Sequence, residues 1–126
     1  KSVSEVWRSK LFDLEHGDVV LIGDNIYGAD WTTKHFSCVD WKTGVVKDSV
    51  KTISPSSVIA ADGLIYAYTY SGEVALVKPL ENGFEVISKF KVEGVKRDHI
   101  AIPVINNGRL YIRYANSLWV YNISEK

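Results

Sequence analysis

The side chains able to do chemistry are few. Three histidines and one cysteine supply all the imidazoles and thiols in 126 residues. Two of the histidines share a position: His16 and His99 each stand eight residues before a turn residue, Asp24 and Asn107, as Ser54 stands before Asp62. Imidazoles titrate near neutral pH, so two at one repeat position offer ligand nitrogens or proton carriers. Arg97 and Asp98, beside His99, add one charge of each sign. The same placement also suits a structural end, each imidazole bonding a loop of the neighbouring unit. Trp31, following Asp30 on a loop, is the residue type that anchors a partner or stacks on a sugar, and it serves equally well to pack one unit on the next. Cys38, between Ser37 and Val39, reads as a buried structural thiol. Asp13 and Glu15 read as solvated loop acids. No nucleophile elbow, zinc-protease helix, dinucleotide fingerprint or phosphate loop occurs. No catalytic residue and no metal site is assigned.

Composition narrows the partners. Fifteen basic residues balance fifteen acidic ones, and no basic block stands out, which argues against nucleic acid. Apolar runs such as Val19-Val20-Leu21-Ile22 fall far short of the ~20 residues of a membrane span. A single cysteine forms no intrachain disulfide. There is no methionine, so Lys1 is expected either to follow a removed segment or to open a piece of a longer protein.

The positioning elements read as strands. Seven Tyr, four Trp and four Phe lie mostly in short runs with Val and Ile. Three segments repeat one pattern, an apolar run, a turn and a second run carrying tyrosine. They are Val19–Ile22 with Asp24-Asn25 and Ile26-Tyr27; Val58–Ala60 with Asp62-Gly63 and Leu64–Tyr66; and Ile102–Ile105 with Asn107-Gly108 and Arg109–Tyr111. The tyrosines are 39 and 45 residues apart. Asp-Gly and Asn-Gly favour tight hairpins because both central residues take positive φ. Third strands follow at Phe36–Asp40, Glu73–Val77 and Ser117–Tyr121, and fourth strands at Val45–Thr52 and Phe84–Val92. Trp7 and Trp119 sit inside strands and are expected to pack. A four-stranded antiparallel meander of roughly forty residues is one blade of a β-propeller.

The fold expected is all-β, with about three blades belonging to a larger or oligomeric ring. Residues 17–52 and 56–93 are two blades, and 99–124 supply three strands of another. Val3–Leu11 is expected to be a fourth strand, pairing with Ser117–Tyr121 of its own or another chain. Leu64, Tyr66, Tyr68 and Tyr70 point one way and Ile65 and Ala67 the other, so the sheets are apolar on both faces. Three blades are too few to close a ring. Partner blades, from the same protein or a second copy, must therefore cover the ends.

Several segments resemble the pyrroloquinoline-quinone-like propeller repeats: Ala61–Tyr66, Asn107–Arg113, and Cys38-Val39-Asp40-Trp41-Lys42-Thr43-Gly44 with its aspartate followed by Thr-Gly. The ending Leu118–Ile123 resembles the C-terminus of exported bacterial members. The resemblance implies a periplasmic or cell-surface location and a disc that binds a protein, an envelope component or a glycan. It leaves open a share in a quinone-dependent oxidoreductase. Pyrroloquinoline quinone enters only through the resemblance, and no cofactor is expected on these residues, because the adjacent cysteine pair of the quinone alcohol dehydrogenases is missing. The family's tryptophan, four residues after the Thr-Gly glycine, is here Asp48, and Ile87 in the next unit.

Overall fold

The computed structural model describes residues 1–13, 15, 17–53, 55–94, 96 and 98–124. Eleven strands form three antiparallel sheets, with no helix among the described residues. The first sheet is the meander β1 (Val20–Ile22), β2 (Asn25–Ala29), β3 (Phe36–Asp40), β4 (Val46–Val50). The second is β5 (Ser56–Ala61), β6 (Leu64–Thr69), β7 (Glu73–Leu80), β8 (Gly83–Lys91). The third holds β9 (Val104–Asn106), β10 (Arg109–Tyr114) and β11 (Ser117–Asn122).

Turn chemistry sets the registers. Asp62-Gly63 and Asn107-Gly108 put both central residues at positive φ, the primed turn whose twist suits a hairpin. In the first sheet Ile22 pairs with Asn25, so the turn is Gly23-Asp24, one residue earlier than Asp24-Asn25. Gly23 decides this by taking φ 59° as the first central residue. With that slip corrected, Tyr27, Tyr66 and Tyr111 keep one register position, facing Val20, Ile59 and Val104 across the ladder.

Two cores lie between the three sheets. Tyr27, Phe36 and Cys38 pack against Ile65, Ala67 and Phe84, with the Phe36 and Phe84 rings edge to face at 5.0 Å. Tyr68 and Val74 pack against Leu110 and Ile112. The alternation expected along β6 therefore holds, Ile65 and Ala67 serving one interface and Tyr68 the other. Each large side chain buried this way contributes roughly 1.5–3 kcal/mol. Trp119 is half-buried against the second core.

The expected strand Val3–Leu11 is absent. No ladder includes it, and Val3 and Val6 are 101% and 81% exposed. Its nominated partner, β11, edges the third sheet, whereas this segment lies along the first. There Trp7 covers Gly44 and Phe12 covers Gly28. Within one chain the second sheet stands between the two partners.

A second correction comes from bulges. β3–β4 and β7–β8 each carry one, between Cys38 and Val39 and between Leu76 and Val77. The extra residues are Lys47 and Ile87. The ladder counterpart of Asp48 is therefore Ser88 and not Ile87.

Candidate functional site

Each meander places its loops at two ends. The β2–β3 loop, the β6–β7 turn and the entries to β1, β5 and β9 share one end. His99, Asp98 and Trp31 all belong to that end and meet around Tyr70, a residue the sequence pattern had not singled out. His16 and Arg97 lie outside the described residues.

His99 is 3% exposed. Its Nε2 lies 2.8 Å from the carbonyl oxygen of Lys96, which can only accept, so Nε2 carries the proton. Nδ1 then accepts from the Tyr68 hydroxyl. The ring stacks on Tyr114 at 4.3 Å and 20°, meets Tyr68 edge-on at 5.3 Å, and closes against Gly72. Its backbone N–H donates to the Tyr70 carbonyl at 3.2 Å. Burial holds the imidazole below its ordinary 6.5, and the bond to Lys96 and the nearby Asp98 charge only partly oppose this. Burial likewise pushes Tyr68 up to about 12. Such a histidine ties the third sheet's entrance to the second sheet's turn.

Asp98, exposed and at φ 71°, accepts from the Tyr70 hydroxyl. Trp31 is half-buried, edge to face with Tyr70 at 4.9 Å, and the Lys34 ammonium sits 3.9 Å from the centre of its ring. Asp30 organises this loop by accepting from the amides of Thr33 at 2.6 Å and Asp13 at 3.2 Å. Burial alone would raise the Asp30 pKa, and these bonds outweigh it, leaving the carboxyl below its ordinary 3.8. Asp13 itself takes the Thr32 hydroxyl at 2.7 Å. A cleft lined by Glu15, Trp31, Ser56, Tyr70 and His99 opens here with about 20 Å³ of room, against the ~10–15 Å³ one water needs. Its wall holds the buried Ser56 hydroxyl, which has no hydrogen-bond partner among the described residues.

The opposite end carries a polar latch that sequence reasoning missed. Tyr27, 1% exposed, sends its hydroxyl across to the carbonyls of Leu80 at 3.1 Å and Gly83 at 3.3 Å. Asn25 donates Nδ2 to the carbonyls of Leu80 and Glu81 at 3.2 and 3.0 Å, while its Oδ1 accepts from Lys47 at 2.7 Å. Lys47 also pairs with Asp40 at 3.5 Å. The signal was present in the tyrosine that recurs three residues beyond each turn. These residues border a cleft of about 450 Å³ between the first two sheets.

Asp40 spends its carboxylate on a turn, Oδ1 accepting from the amides of Lys42 and Thr43, both at 2.9 Å. Bonds from Thr43 hold it below the ordinary carboxylate value, against some desolvation. Asn122 repeats the arrangement, accepting from the Ser124 amide at 3.1 Å. Cys38 is fully buried in the first core, and burial raises its pKa. The lone thiol faces the core, and no three His, Cys, Asp or Glu converge among the described residues.

Stacked four-stranded antiparallel meanders, joined by interface residues that recur from unit to unit, define a fold of β-propeller type. The solved structure of BamB from Moraxella catarrhalis superposes with a TM-score of 0.61 at 16% identity, over 81% of this chain and 29% of that one. The matched part of this chain thus spans less than a third of that protein's length. No family model matches the sequence, and no curated protein matches it. No helix among the described residues is long and apolar enough to cross a membrane.

Proposed function

We propose that this chain is part of a non-catalytic propeller of the pyrroloquinoline-quinone-like repeat family, and that its work is binding. The disc presents one loop end to a protein or another envelope component, at a periplasmic or cell-surface location. One observation carries this reading: side chains of catalytic type are spent on holding the scaffold. His99 is bonded through both ring nitrogens, Cys38 is sealed in the core, and Asp30 and Asp40 cap loops. What remains at the loop end is an aromatic and charged surface, Trp31 with Lys34 and Tyr70 with Asp98, suited to contact rather than to turnover.

The test is a set of parallel titrations of the purified chain. Cross-linking to envelope proteins, weakened about tenfold by Trp31→Ala, is the result expected for a centrally placed aromatic anchor. Stoichiometric uptake of pyrroloquinoline quinone, followed by absorbance and coupled to dye reduction, would replace the reading with an oxidoreductase. Selective retention on a glycan array, lost in Trp31→Ala, would replace it with carbohydrate binding.

A further inference from the structure

Of the six asparagines, Asn25, Asn82, Asn106, Asn107, Asn116 and Asn122, only the last has a serine or threonine two residues on. The run is Asn122-Ile123-Ser124, with no proline between, which is the acceptor pattern for N-linked sugar. Such an acceptor needs an accessible amide with a hydroxyl beside it. Trp119, Tyr121 and Ile123 pack against the second core, and alternation leaves Asn122 exposed at the end of β11. The Ser124 hydroxyl lies 2.6 Å from its Oδ1.

The repeat shows what is particular about this residue. Asn122 faces Arg109 across the ladder as Asp40 faces Asn25, so the two hold one position at the end of a third strand. Both close the following turn with a side-chain oxygen. Asp40 Oδ1 takes the amides of Lys42 and Thr43 and, at 3.1 Å, the Thr43 hydroxyl. Asn122 Oδ1 takes the Ser124 amide at 3.1 Å as well as its hydroxyl. The turn needs only that oxygen. Where Asp40 offers Lys47 a second oxygen at 3.5 Å, Asn122 has an amide nitrogen that bonds to none of the described residues. The first hairpin holds this turn in place. Ile123 donates its backbone N–H to the Gly108 carbonyl at 2.9 Å, and a Cβ on Gly108 would fall 2.8 Å from Cβ of Ser124. Hydroxyl and amide are thus fixed side by side, and the two bonds to Oδ1 draw electron density from Nδ2 and make its protons more acidic.

We infer that Asn122 is an acceptor site for an N-linked glycan, delivered by a transferase from an oligosaccharide carried on a lipid diphosphate. Nδ2 bonds to the anomeric carbon of the sugar as the bond from that carbon to the diphosphate oxygen breaks. The diphosphate leaves with the bonding pair, one Nδ2 proton passes to a base of the transferase, and nothing is oxidised or reduced. β11 starts at the loop end that holds Trp31 and finishes at the opposite end. The glycan therefore stands away from Trp31 and leaves that surface open. The inference shares with the binding reading only a location outside the cytoplasm, and it holds whether or not Trp31 anchors a partner.

Mass spectrometry of the protein isolated from the cells that make it tests this. Trypsin releases residues 114–126, a peptide that carries Asn116 as an internal control beside Asn122. The expected result is a sugar-bearing form of this peptide. Enzymatic removal of the glycan in heavy-oxygen water should then leave labelled aspartate at position 122 and unlabelled asparagine at 116. Ser124→Ala should lose the sugar and Ser124→Thr should keep it, both with the β-sheet circular dichroism retained, because Ser124 is exposed. Asn122→Gln should lose it as well. A bare peptide from the native protein overturns the proposal. So does a sugar carried on Asn116 alone, or one that persists in Ser124→Ala.

Discussion

Gly72 and Gly63 make a matched pair for testing how firmly His99 is held. Both are glycines at positive φ, 90° and 74°. A Cβ on Gly63 meets nothing within 4 Å, whereas a Cβ on Gly72 falls 2.7 Å from Nε2 and 2.9 Å from Cε1 of His99. Gly63→Ala should thus cost only the left-handed backbone, about 1 kcal/mol. Gly72→Ala bears the same cost and must also displace an imidazole fixed by Tyr68, the Lys96 carbonyl and Tyr114. Overpacking of this kind adds ~1–3 kcal/mol. The gap between the variants should be about 2 kcal/mol, or about 6–10 °C in Tm for a chain of this size. Urea titration with fluorescence detection reads the gap directly, provided the slope is unchanged. The double variant Gly72→Ala/His99→Ala should lose less than the sum of its parts, because removing the ring frees the space. Equal losses in the two single variants, or strict additivity in the double, would show that the ring is not locked and would refute the reasoning.

Other expectations follow from the same contacts. Tyr27→Phe keeps the ring but strips a donor from the carbonyls of Leu80 and Gly83, and should lower stability by about 1–2 kcal/mol in urea titration. The folded state resists protonating His99, so the unfolded chain binds more protons below pH ~6.5 and stability should fall as pH drops from there toward the depressed folded value. Thermal melts should show this loss in the parent and not in His99→Asn, and a flat parent profile from pH 7 to 5 would count against it. Above pH 10 the unfolded tyrosines ionise while Tyr68 holds its proton to about 12, so melts should also fall steadily on the alkaline side. Cys38 should react with a thiol reagent only as fast as the core opens; labelling at the rate of a free thiol would contradict its burial.

What the sequence shows and what it hides divide along the range of the interactions involved. Hairpins are local, so Asp62-Gly63, Asn107-Gly108 and the recurring tyrosine disclose strands and registers, and Phe36–Asp40 emerges with the limits read from its residues. Where two adjacent dipeptides compete, as at Gly23-Asp24-Asn25, only the φ of Gly23 settles the turn. A bulge inserts one residue without changing composition, which is why Ile87 passes for the partner of Asp48 until the ladder is seen. Counting eight residues back from a turn locates His99 along the disc but not the direction its ring faces. That direction depends on Tyr68, Gly72 and Tyr114, distant in sequence and brought together by stacking. Val3–Leu11 is subject to the same limit, because edge pairing depends on whichever strand lies alongside.

The side chain seated over the turn at each junction acts as an address. Copies of one repeat, if alike, could stack in any order and trap the chain in shuffled arrangements during folding. Here an indole lies on Gly44, a carboxylate on Gly83, and Ser88 holds the corresponding ladder position in the next sheet. The indole asks for a flat glycine and a carbonyl to receive its N–H; the carboxylate asks for an amide and rejects a carbonyl by like polarity. Exchanging the neighbours would leave the charge of Asp48 facing the Trp41 carbonyl and the indole without an acceptor. The chain thus marks the order of its own blades, with an indole seat at Gly44 and a carboxylate seat at Gly83 that are not interchangeable.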